Sequence, residues 1–175
     1  MKKLFVSLTC FTLFGCSAAM QPAKVINLPY QFDEIKAKQQ LENGKEVLSG
    51  SAFLRQNGGG VVNCAGSDVD LYPYSQYSDA RIQAQHPVDI WLGGRIRSND
   101  TFVPAAPQFD SIKLSTTCDA QGNFEFNSIK SGDYIAVTRI VWYVPSQYGQ
   151  QRQGGYVIKN VTVRKGVQNK IVISQ

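Results

Sequence analysis

From Val47 to the end of the chain, short apolar runs follow one another, each closed by a glycine-rich or polar turn. Residues 48–55 make the first run, and Asn57-Gly58-Gly59-Gly60 turns it. Residues 61–64 and 69–72 follow, split by Gly66, and then Ile90-Trp91-Leu92 before Gly93-Gly94. Residues 112–117 come next. Asn123-Phe124-Glu125-Phe126-Asn127 then alternates polar and apolar side chains, the pattern of a half-buried strand. Residues 134–144 are dense in β-branched and aromatic side chains. Val157, Val161 and Val163 share one face of the next run, and Ile171 and Ile173 one face of the last, with Gly166 as the turn between. Many short strands with regular turns predict an all-β fold, an antiparallel β-sandwich of about seven strands. Residues 47–175 are long enough to enclose one core between two sheets. Two stretches break the rhythm. A helical turn is expected over residues 78–85 and a proline-containing loop over residues 98–108, both at one end of the sandwich.

The segment before the strands reads differently. Residues 16–46 form a tether with Pro22 and Pro29 and few large apolar residues. Within it, Asp33 is placed to cap a short helix from Glu34 to Asn43, ended by Gly44. Residues 1–15 carry Lys2 and Lys3 ahead of an apolar run, the layout of a signal peptide and too short to span a bilayer. That run ends in Leu13-Phe14-Gly15-Cys16, which resembles the lipobox of bacterial lipoproteins, although Phe14 is larger than the pattern prefers. The resemblance implies that the Cys16 thiol carries a lipid and that the freed amine is acylated too, since two or more chains give a stable anchor. The expected location is the bacterial envelope, on the outer membrane and facing the periplasm, because Ser17 rather than Asp follows the cysteine. The alternative is cleavage after Ala19, at Ser17-Ala18-Ala19, which would leave a soluble periplasmic or secreted protein.

In an exported chain Cys10 leaves with the leader and Cys16 takes lipid. Cys64 and Cys118 remain as one disulfide or as two separate buried thiols. One histidine and no second pair of cysteines give no zinc site, and no cofactor is expected. The net charge of +5 falls when Lys2 and Lys3 are removed, and no Lys/Arg run marks a nucleic-acid surface.

Asp119-Ala120-Gln121-Gly122-Asn123-Phe124-Glu125-Phe126, followed by Ile129 and Gly132-Asp133-Tyr134, resembles the carboxypeptidase regulatory-like fold, a small transthyretin-type sandwich. Gly50-Ser51-Ala52-Phe53 and Val69-Asp70-Leu71-Tyr72-Pro73 stand where its first strands fall, and residues 161–173 where its last hairpin falls. The stretch from Tyr74 to Gln108 is longer than the family's. The resemblance implies a non-catalytic module that binds a protein or a carbohydrate.

Candidate chemistry is sparse. His86 is the only histidine and precedes Pro87 in an expected surface loop. Asp68 and Asp70 share a strand face. Converging with Glu125 in a cleft they would suit a carboxylate-dependent hydrolase, and apart they are a solvated face. Aromatic residues offer more. Tyr72, Tyr74 and Tyr77 cluster about Pro73, and Trp142, Tyr143, Tyr148 and Arg152 flank a glutamine-rich hairpin tip. Rings beside amides and an arginine suit an envelope protein partner or stacking on a glycan such as peptidoglycan. Alternatively the same rings seal the sandwich. The expectation is a structural or protein-interaction module, with glycan binding as the alternative.

Overall fold

The computed structural model describes residues 24–86 and 101–174. The expected leader, Cys16 and the run Ile90-Trp91-Leu92 lie outside the described residues. The chain is an all-β sandwich. Its strands are β1 (Val25–Asn27), β2 (Glu46–Arg55), β3 (Val61–Asn63), β4 (Asp68–Pro73), β5 (Thr101–Val103), β6 (Leu114–Thr117), β7 (Asn123–Ile129), β8 (Gly132–Ser146), β9 (Gly149–Val163) and β10 (Asn169–Ser174). Among the described residues two α-helices accompany them, α1 (Glu34–Gln40) and α2 (Gln76–Gln85).

One sheet is built on β2. Strand β10 lies along one edge, and β7 and β3 share the other. The second sheet runs β6-β4-β8-β9. Between them lies the main core, where Leu48 and Ala52 of β2 and Phe124 and Phe126 of β7 meet Val69, Leu71, Tyr134 and Val157. The Phe124/Phe126 alternation read from the sequence thus faces inward. Cys64 and Cys118 are joined in a disulfide within this core, so of the two readings of these cysteines the bonded one is correct.

Four features depart from the expectation. There are ten strands among the described residues rather than about seven. Strand β10 pairs with β2 in parallel, so the sandwich is not wholly antiparallel. Strands β9 and β10 belong to different sheets, so the turn at Gly166 crosses between layers and does not close a hairpin. Finally, the stretch after β4 does not sit at the end of the sandwich. It covers the outer face of the second sheet, where Tyr77 and Ile82 of α2 pack with Phe109 and Ala106 onto Tyr72, Ile135 and Val137. From Tyr134 to Thr138 strand β8 is therefore buried on both faces, which is why its apolar run is continuous there. Full burial of a large apolar side chain contributes about 1.5–3 kcal/mol, so this third layer is firmly held.

The chain before β2 is also docked from Lys24 onward. β1 pairs in parallel with β5, and Leu28 and Phe32 pack on the second cluster. The Asp33 side chain accepts from the Lys36 amide at 2.9 Å and starts α1 as expected. The helix ends at Gln40, three residues short of the expected Asn43, and Leu41 packs on the main core. Gln40 Nε2 donates to the buried Tyr134 hydroxyl at 2.8 Å, and that hydroxyl donates to the Lys130 carbonyl at 2.9 Å. Burial raises the Tyr134 pKa, with the Gln40 hydrogen bond working against it. The tyrosine of the Gly132-Asp133-Tyr134 motif is thus the post that ties α1 to the sandwich. No described helix is long and apolar enough to cross a membrane.

Candidate functional site

The expected aromatic set divides in two. Tyr72 and Tyr77 are interior. The Tyr72 ring stacks on Phe109 with centroids 5.3 Å apart, and the Tyr77 hydroxyl donates to the Pro104 carbonyl at 3.1 Å. Neither presents a face to a ligand. Both serve the third layer, the outcome the sealing alternative describes. Burial raises the Tyr72 pKa, with Lys113 pulling the other way. Tyr74, just past β4, is exposed and stands apart from the remaining rings.

The second half of the set lies on one structure. Strand β4 pairs with β8 only from Tyr134 to Thr138, and no described strand pairs with the far edge of β9. From Arg139 to Tyr156 the two strands therefore continue as a two-stranded ribbon, turned at Gln147-Tyr148. One face of the ribbon continues the core side of the sheet. There Trp142 is partly buried against the main core. The opposite face continues the side covered by α2, which stops at its cap His86. The His86 imidazole stacks on the Tyr156 ring at 3.8 Å, closing the third layer where the open ribbon begins. Burial lowers the His86 pKa, while Asp110 and Asp70 push it back up. His86 is thus a packed cap rather than a loop residue.

Beyond that closure the register sets three rungs on the open face. Arg139 faces Tyr156, Val141 faces Gly154, and Tyr143 faces Arg152. Each end of the platform thus carries one tyrosine and one guanidinium, about 13 Å apart at ~3.3 Å per residue. Tyr143 is 62% exposed, and Tyr148 at the tip 91%. The Arg139 guanidinium lies 5.8 Å from the Tyr156 centroid, a cation–π distance. Sequence reasoning found Tyr143, Tyr148 and Arg152. It missed Arg139 and Tyr156, although two-residue steps back from Tyr143 and on from Arg152 would have reached them.

The carboxylates are occupied elsewhere. Asp68 accepts from Thr117 at 2.9 Å, and Asp70 accepts from Ser115 and Lys113, each at 2.6 Å. Burial opposes the Lys113 charge, but the Asp70 hydrogen bond and Tyr72 outweigh it and raise the pKa. Glu125 lies on the other sheet, in an open polar groove of about 520 Å³ with Asp119, Asn123 and Lys170. There the Asn123 and Gln121 amides donate to Asp119, which holds its carboxyl below the usual range. A carboxylate so stabilised is a poor proton donor. Asp68 and Asp70 therefore do not converge with Glu125. Among the described residues no group of three His, Cys, Asp or Glu is placed to hold a metal.

No protein-family model and no curated protein matches the chain. Its fold does match a solved structure. A proposed carbohydrate-binding protein of Pseudomonas aeruginosa superposes with a TM-score of 0.71, over 83% of this chain and 99% of that one, at 22% identity. At that identity the likeness shows a shared fold.

Proposed function

We propose that the protein is a non-catalytic glycan-binding module of the bacterial envelope, of the carboxypeptidase regulatory-like kind and tethered by a lipid on Cys16. The observation that carries the binding role is the ribbon face, with Tyr143 exposed beside Arg152 and, at the other end, Arg139 exposed beside the His86-stacked Tyr156. Aromatic faces stack on the apolar faces of sugar rings, while guanidinium and amide groups satisfy hydroxyls. The fold shared with a proposed carbohydrate-binding protein supports the same reading. The glutamines at Gln150 and Gln151 add exposed amides near the tip.

The test is affinity electrophoresis of the mature chain through gels carrying peptidoglycan fragments and soluble polysaccharides. At least one glycan should retard it. Tyr143→Ala, at an exposed position, should weaken retention about tenfold, the loss of ~1.4 kcal/mol of binding. Unretarded migration in every gel would sink the proposal. A protein partner is the second reading, favoured by the two edges of the ribbon with which no described strand pairs, to which an extended segment can add as a strand. Cross-linking from membranes that yields one protein, lost on Tyr143→Ala while glycan retention is absent, would establish it instead. For the anchor, Cys16→Ala should move the protein from the membrane to the soluble fraction. Unchanged membrane association would count against lipidation.

A further inference from the structure

The charge of the ribbon narrows the ligand class. From Tyr134 to the C-terminus the chain contains no aspartate or glutamate, while Arg139, Arg152, Lys159, Arg164, Lys165 and Lys170 fall within it. From Tyr134 onward, strands β8, β9 and β10 thus carry cations without intervening carboxylates, in a chain that holds 13 Asp and Glu overall. Neither Arg139 nor Arg152 forms an ion pair among the described residues, and both are exposed. The carboxylates that act on neighbouring His86 are already matched. Asp110 pairs with Arg81 at 3.2 Å and Asp70 with Lys113 at 2.6 Å. Among the described residues the platform therefore presents two guanidinium groups without a carboxylate partner.

We infer that the platform of Arg139, Tyr156, Tyr143 and Arg152 binds an anionic glycan, an oligosaccharide bearing carboxylate or phosphate groups, a narrowing that rests on the glycan-binding reading above. A guanidinium donates two parallel hydrogen bonds to a carboxylate or phosphate, and its charge is permanent. A neutral sugar needs rings and amides but gains little from paired arginines. The Tyr143 end supplies an exposed ring to stack on and, in Arg152, a fork for an anion; at the other end the Tyr156 ring is stacked on His86 and Arg139 supplies the fork. Their separation of about 13 Å along the strands calls for a chain of several sugars rather than one. Val141 and Gly154 between them leave the floor low enough for a chain to lie along the ribbon.

The test is calorimetric titration of the mature chain with a polyuronate oligosaccharide, with the same oligosaccharide after carboxyl reduction, and with a phosphorylated mannan. One of the two anionic ligands should bind, and the neutral reduced form at least about tenfold more weakly. Raising salt from about 0.05 to 0.5 M should weaken the anionic ligand and leave any neutral binding in place. Arg139→Gln and Arg152→Gln should each lower anionic affinity, with circular dichroism confirming that both variants fold. Equal binding of the polyuronate and its reduced form overturns the anionic assignment while leaving glycan binding intact. Failure of all three ligands, together with an unretarded chain in the gels above, overturns both. Anionic binding untouched by both arginine variants removes it from this platform.

Discussion

Arg81 is the side chain whose role departs most from its type. It lies in α2 with the residue 8% exposed, between the rings of Phe102 at 4.3 Å and Phe109 at 4.8 Å. Its guanidinium donates to the Tyr77 hydroxyl and to Asp110, each at 3.2 Å, and its Nε has no partner among the described residues. A buried charge needs its partners more than a surface charge does. Asp110→Ala should therefore destabilise the fold by about 1–3 kcal/mol, a cost tempered because the Asp110 side chain is largely exposed. Denaturant unfolding measures it, and an unchanged midpoint would mean that the two rings alone hold the charge. His86 gives a pH effect with a definite sign. Its folded pKa lies below the unfolded value of 6.5 because burial disfavours the imidazolium. Above that value His86 is neutral in both states and adds no pH dependence. As pH falls through 6.5 the unfolded chain takes the proton first, so stability is lost until pH passes below the folded pKa. The melting temperature of the wild type should therefore drop more between about pH 7.5 and 5 than that of His86→Phe, which keeps the stack on Tyr156. Parallel curves would show that the imidazole is not desolvated.

The ribbon depends on one backbone position. Gly154 sits in β9 with a φ of +83°, and a Cβ there would meet the Ile140 carbonyl and the Trp142 ring. Gly154→Ala should cost at least about 1–2 kcal/mol from the left-handed backbone alone, and should also push Trp142 off the core. A fall in Trp142 burial, read by its fluorescence with Trp91→Phe as background, is the expected signature. An unshifted emission maximum would mean the ribbon flexes to accept the methyl. The sequence made the ribbon visible as a hairpin from Trp142 to Gly155, because alternation and glycines mark strands and turns locally. It did not reveal α2 as a covering layer. The buried face of that helix is Tyr77, Ser78, Arg81 and Ile82, correct in helical spacing but half polar by residue type. A hydrophobic pattern cannot register a face whose arginine is buried between rings. The pairing of β10 with β2 was hidden for another reason. The two strands are far apart in sequence, and nothing local in Ile171-Val172-Ile173 says which edge it joins.

Two sheets, a covering layer and a docked N-terminal segment must all hold position for the ribbon to project in a defined direction. The disulfide stabilises that arrangement across a sequence separation of 54 residues. Cys64 directly follows β3 of one sheet and Cys118 directly follows β6 of the other, so the bond staples the sheets together. Backbone hydrogen bonds support the same corner, with the Gly66 amide donating to the Cys118 carbonyl at 3.1 Å and the Cys118 amide to the Ser67 carbonyl at 2.9 Å. Both cysteines are buried, so a thiol pair would remain packed and most native contacts would survive reduction. The loss falls chiefly on the unfolded chain, which regains the freedom of a loop with a separation of 54 residues. Closing such a loop is worth about 4 kcal/mol by chain entropy, a large share of the 5–15 kcal/mol that stabilises a typical domain. The variant carrying Cys64→Ala and Cys118→Ala should therefore unfold at markedly lower denaturant, with near-native circular dichroism before the transition. Glycan affinity measured well below that transition should be unchanged, because the ribbon is anchored by β8 and β9 in the core and not by the bond. A variant that is folded and fully stable would show that the reduced chain is already confined. One that loses binding while folded would place the control of the ribbon at this corner of the sandwich.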